Sequence, residues 1–61
     1  MEIKVLYIES SLTLAECIEK VEELFPCFVE SEPVEMNYVE ISINARAEDM
    51  PSIERIFAPL V

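Results

Sequence analysis

The sequence predicts one small α+β domain of βαββα order, with three strands in a mainly antiparallel sheet and both helices on one of its faces. Three observations predict it. Apolar residues recur at three- and four-residue spacing in two segments, Leu14 to Phe25 and Met50 to Leu60, as amphipathic helices require. The stretch Glu2–Glu9 is dominated by β-branched and aromatic residues, and Val39–Ala47 alternates with a strict period of two. Finally, 61 residues allow one domain at most, while an apolar content of 52% separates the chain from disordered acidic tails.

The first strand is expected over residues 2–9. Ile3, Val5 and Tyr7 share one face, and Leu6 and Ile8 share the other with Glu2 and Lys4. Apolar on both faces toward its end, it reads as better covered than a half-exposed strand. The first helix is expected over 13–25. Thr13 and Glu16 have capping-box spacing, and Leu12 with Cys17 has that of a hydrophobic staple. Leu14, Cys17, Ile18, Val21, Leu24 and Phe25 form the apolar stripe, opposite Glu16, Glu19, Lys20, Glu22 and Glu23. Pro26 ends the helix, because the residue before a proline is pushed out of the α region.

A second strand is expected over 27–31, turning at Ser31–Pro33 into a hairpin with a third strand over 38–47. In that third strand Val39, Ile41, Ile43, Ala45 and Ala47 point to one side, and Glu40, Ser42, Asn44 and Arg46 to the other. Val34 and Met36 have the opposite parity, so either a bulge lies near Asn37–Tyr38 or the strand begins there after a longer loop. The second helix is expected over 50–58, with Asp49 as N-cap and Pro51 in the first turn; Met50, Ile53, Ile56, Phe57 and Leu60 mark its buried side.

This element order resembles a ferredoxin-like domain lacking its last strand, a likeness of topology that covers most of the chain and carries no motif. A right-handed first crossover would put both helices on the Val39/Ile41/Ile43/Ala45 side. Without a fourth strand, the first strand becomes an edge. Its run Val5, Leu6, Tyr7 and Ile8 has none of the charges or prolines that normally blunt edges, and these residues are the candidate interaction site. Length and opening element order also resemble the small tautomerases, whose mature chains begin with a catalytic proline. Here Glu2 follows Met1, so the defining residue is missing.

The chemistry points away from catalysis. There is no histidine, so no His-based triad or base exists, and the serines have no visible activating partner. Glu40, Arg46 and Glu48 read as a solvated sheet face. Cys17 reads as a packed thiol and Cys27 has no basic neighbour to activate it; their spacing is not that of metal ligands. No glycine is present, which removes Gly-rich phosphate loops and leaves turns to Asn, Asp, Ser and Pro. No cofactor or metal is expected.

Thirteen acids face four bases, a formal charge of −9. A field of that sign repels nucleic acid and anionic membranes and attracts basic partners. Glu16, Glu19, Glu22 and Glu23 form a candidate acidic docking face on the first helix. No segment near the start has the length of a secretory or membrane-spanning run, so a reduced, cytoplasmic protein is expected. A domain this small gains stability from disulfides, metals or partners, and only partners fit this composition. The expected function is therefore a non-catalytic interaction or regulatory module. It would form a homodimer, or bind another protein, through the open edge and an apolar patch. The alternatives are an acidic, nucleic-acid-mimicking inhibitor of a basic protein, or a small enzyme.

Overall fold

The computed structural model describes residues 1–61 and runs β1 (Glu2–Glu9), α1 (Leu14–Leu24), β2 (Cys27–Glu35), β3 (Tyr38–Ala45) and α2 (Met50–Phe57), with a 3-10 turn at Ala58–Leu60. The strands form one sheet of order β1-β3-β2, and both pairings are antiparallel. The core lies on one side of this sheet. Ile41, Ile43 and Ala45 of β3 pack with Ile8, Val29, Val21 and the α2 residues Met50, Ile53 and Phe57. α2 is tied to β1 by Lys4 Nζ, 3.5 Å from Glu54 Oε1, and α1 to β2 by the Val29 N–H, which donates to Glu22 Oε2 at 3.4 Å.

The helix borders follow local chemistry, with corrections at their starts. Phe25 is extended (φ −132, ψ 148), as its place before Pro26 requires. The capping box does not form: Thr13 itself lies in the αR region and makes no side-chain cap bond. Its hydroxyl instead sits 2.9 Å from Ser11 Oγ, which also accepts the Thr13 N–H at 3.2 Å. The staple is absent as well, since Leu12 is 99% exposed. Leu24 also leaves the stripe, at 58% exposed, and Val21 is the one α1 residue buried outright. Asp49 precedes α2 without capping it, because its carboxylate accepts from Arg46 Nε and lies 2.8 Å from both guanidinium nitrogens involved.

The hairpin differs from the sequence expectation. β2 continues through Ser31–Pro33, and the chain turns at Met36–Asn37, with a bulge between Pro33 and Glu35. Pro33 is tolerated because β2 is an edge strand. No residue has positive φ, so the primed two-residue turns that best fit strand twist are closed to this hairpin; the adjacent bulge accommodates the mismatch. β3 ends at Ala45, which leaves Arg46, Ala47 and Glu48 in the connection to α2 rather than on the sheet. Arg46 therefore pairs with Asp49 and, at 3.5 Å, with Glu48, and not with Glu40.

Two hydrogen bonds set the phase of the whole ladder. The Ser10 N–H donates to the Asn37 carbonyl at 2.7 Å, in register with the β1–β3 pairing, so the even residues of β1 bond to β3. By alternation, the N–H and C=O of Ile3, Val5, Tyr7 and Glu9 point away from the sheet. On the other side, the Val29 N–H faces Glu22, so the odd residues of β2 face that edge.

This phase makes a sharp prediction. A proline at Leu6 removes a ladder donor between β1 and β3 and should destabilise by about 2–4 kcal/mol. A proline at Val5 removes only an outward N–H and should cost at least about 1 kcal/mol less. Denaturant unfolding of the two variants checks this; equal losses would mean the phase is wrong.

Candidate functional site

With both helices on one side, the second face of the sheet is uncovered, and the register arranges its side chains in four rows across β1, β3 and β2. The rows read Ile3–Asn44–Phe28, Val5–Ser42–Glu30, Tyr7–Glu40–Glu32 and Glu9–Tyr38–Glu35. The apolar residues here are open to solvent: Ile3 is 67% exposed, Val5 43%, Tyr7 60%, Phe28 58% and Tyr38 47%. The expectation that β1 is covered on both faces is thus overturned. Two helices packed on one side of a three-stranded sheet leave nothing to cover the other.

The four candidate edge residues separate into two pairs. Leu6 and Ile8 face the helices, Ile8 fully buried, and their backbone groups are used by β3. Val5 and Tyr7 carry both the outward backbone groups and the exposed side chains, and Ile3 joins them as the third member of this row. The alternation in sequence groups Ile3, Val5 and Tyr7 against Leu6 and Ile8, and the helices take the Leu6 and Ile8 face.

Of the acidic set on α1, all of Glu16, Glu19, Glu22 and Glu23 are exposed, and Glu22 is bent toward the β2 edge by its bond to Val29. The β2 edge is thereby guarded by Glu22, by Pro33, which has no N–H, and by the bulge. On β1 the charged residues are Glu2, Lys4 and Glu9, with Lys4 turned to Glu54 on the helix side, and nothing comparable guards the run Val5 to Ile8.

The charges divide unevenly. The open face holds five carboxylates, Glu9, Glu30, Glu32, Glu35 and Glu40, and none of the four bases. Glu32 and Glu40 stand directly opposite each other, an unfavourable cross-strand pair. Beside them Tyr7, Val34, Glu35, Tyr38 and Glu40 line a shallow depression of about 470 Å³. Val34 reaches it because the bulge takes that residue out of register. A turn at Ser31–Pro33, as the sequence predicts, would keep Val34 and Glu35 away from Tyr38 and Glu40; the turn at Met36–Asn37 brings the four together. In the first row the Asn44 Oδ1 is out of solvent with no hydrogen-bond partner, between Ile3 and Phe28.

The thiols sit apart from this face. Cys17 and Cys27 are free and half-buried. Cys27 Sγ lies 3.5 Å from the Val21 carbonyl, to which it donates; burial pushes the thiol up, helped by the negative charges of Glu22 and Asp49. Such a thiol is a poor nucleophile. No group of three or more Cys, Asp or Glu side chains converges to hold a metal ion. No helix is long and apolar enough to cross a membrane. No family model, curated protein or solved structure matches the chain.

Two predictions follow from this chemistry. Because the unfolded chain releases the Cys27 proton at a lower pH than the native one does, stability should fall as pH rises from the ordinary thiol range through the raised one. The Cys27→Ala variant should lack that part of the decline, which paired denaturation curves from neutral to alkaline pH will show. Asn44→Val removes an unsatisfied oxygen and adds a β-branched residue between Ile3 and Phe28, so it should stabilise by about 1 kcal/mol. A loss of stability on calorimetry would mean that Oδ1 is satisfied in solution.

Proposed function

We propose that the chain is a non-catalytic interaction module that works by strand addition at β1, its partner being a second copy of itself. The observation that carries this reading is the row Ile3, Val5, Tyr7 and Glu9, whose outward N–H and C=O groups are unguarded while the β2 edge is guarded three times over. An exposed edge of this kind is a template for another strand. A two-fold axis at Val5 would pair Val5 with its copy and Ile3 with Tyr7, and would leave Glu9 outside the apolar stretch.

Charge permits the approach. In the resulting sheet of order β2-β3-β1-β1-β3-β2 the carboxylate-rich β2 strands lie about 24 Å apart, about three Debye lengths at physiological ionic strength. A single paired edge buries little surface, which gives affinity of about 10 μM or weaker. A cytoplasmic setting, where both thiols stay reduced, suits this reading.

Sedimentation across the micromolar range should show reversible dimers for the native chain and monomers for Val5→Pro. Spin labels at Glu9→Cys, in a chain also carrying Cys17→Ala and Cys27→Ala, should lie about 27 Å apart for the axis at Val5. A folded native chain that stays monomeric at high micromolar concentration would overturn the proposal.

A further inference from the structure

We propose that the depression between Tyr7 and Tyr38 binds a cationic side chain, a guanidinium or an ammonium group, presented by a basic segment of a protein partner. This rests on the open face and not on self-association through the β1 edge.

The geometry begins with the register. Tyr7 and Glu40 are directly opposed across β1 and β3, and the ladder phase makes them a non-hydrogen-bonded pair, the closer of the two kinds. Tyr38 lies two residues before Glu40 on β3, and Glu35 stands opposite Tyr38 on β2. The two tyrosines are thus diagonal neighbours, their backbones about 7–8 Å apart, and both line the depression, so a cation seated there faces both rings. Glu40 and Glu35 supply acceptors for its N–H groups, and Val34 closes the depression against the alkyl stem. The depression, about 470 Å³ and open to solvent, has room for a long basic side chain and part of the backbone that presents it.

The protein has no base of its own to fill this place. Lys4 points to the other face and pairs with Glu54, and Arg46 pairs with Asp49 and Glu48. Lys20 and Arg55 lie on the helices. The opposed carboxylates Glu32 and Glu40 are left uncompensated within the chain, and an incoming cation relieves that repulsion. A uniformly solvated acidic surface would attract cations by long-range field alone. The tyrosines add a short-range attraction that a carboxylate field does not have, and they place it at one point of the face.

The test uses the Val5→Pro chain, so that self-association does not enter, and an arginine-containing pentapeptide with its citrulline counterpart, which keeps the shape and removes the charge. Nuclear magnetic resonance at low salt should show saturable shifts from the arginine peptide centred on Tyr7, Val34, Tyr38 and Glu40. Glu35→Gln with Glu40→Gln, or Tyr38→Leu, should weaken binding about tenfold. Glu16→Gln with Glu19→Gln removes equal charge from α1 and should weaken it about twofold or less. Equal binding of the citrulline peptide, equal losses from the two charge pairs, or shifts centred on α1 would overturn the site. If Val5→Pro is poorly folded, the native chain at low micromolar concentration gives the same comparison.

Discussion

The constraint on which the rest depends is the central position of β3. It bonds to both neighbours, so its backbone is fully used and its inward residues Ile41, Ile43 and Ala45 are out of solvent. Two helices are then enough to cover one side of the sheet and no more. α2 lays Ile53 and Phe57 on this centre, whereas α1 contributes one fully buried residue, Val21. The core is accordingly small, nine residues, and the accessible surface of 4250 Å² exceeds the roughly 4,000 Å² expected for a compact monomer of this mass.

The two edges of the sheet are treated differently by the same chain. β2 has its outward N–H at Val29 taken by Glu22, no N–H at Pro33 and a bulge at Val34, each a recognised way of preventing another strand from joining. β1 has an unbroken row of outward groups beside apolar side chains. A general cost of small size would affect both edges alike, so the contrast points to β1 as the edge left available. Carboxylates are concentrated toward β2 and α1, on the guarded side, which lowers the electrostatic cost of an approach at β1.

Charge sorting between the two faces of the sheet has its own consequence. Lys4 is held against Glu54 on the helix side, and Arg46 against Glu48 and Asp49 in the connection to α2, so part of the charge away from the open face is neutralised internally. These pairs are exposed, and such pairs add little to stability. The open face has no internal counterpart for its carboxylates. Its potential is therefore directed outward, where it acts on whatever approaches the tyrosines and the β1 row.

The sequence by itself determined the element order, the period of β3, the helical stripes and the stop at Pro26, because these depend on residues close in the chain. The alternation of Ile3, Val5 and Tyr7 against Leu6 and Ile8 was equally legible. What only the tertiary structure decided was which of those two sets the helices would cover. It also decided which strand positions point their backbone groups to the free edge. A single phase, set by Ser10 on Asn37 and Val29 on Glu22, settles the second point, and phase is a relation between strands that no one strand contains. The place of the hairpin turn is likewise a tertiary matter. Ser31–Pro33 has turn composition, but an edge strand tolerates a proline, and a glycine-free chain turned instead at Met36–Asn37. The depression between Tyr7 and Tyr38 exists only after that turn and the Val34 bulge bring three strands into register, since its residues lie up to 33 positions apart in the chain.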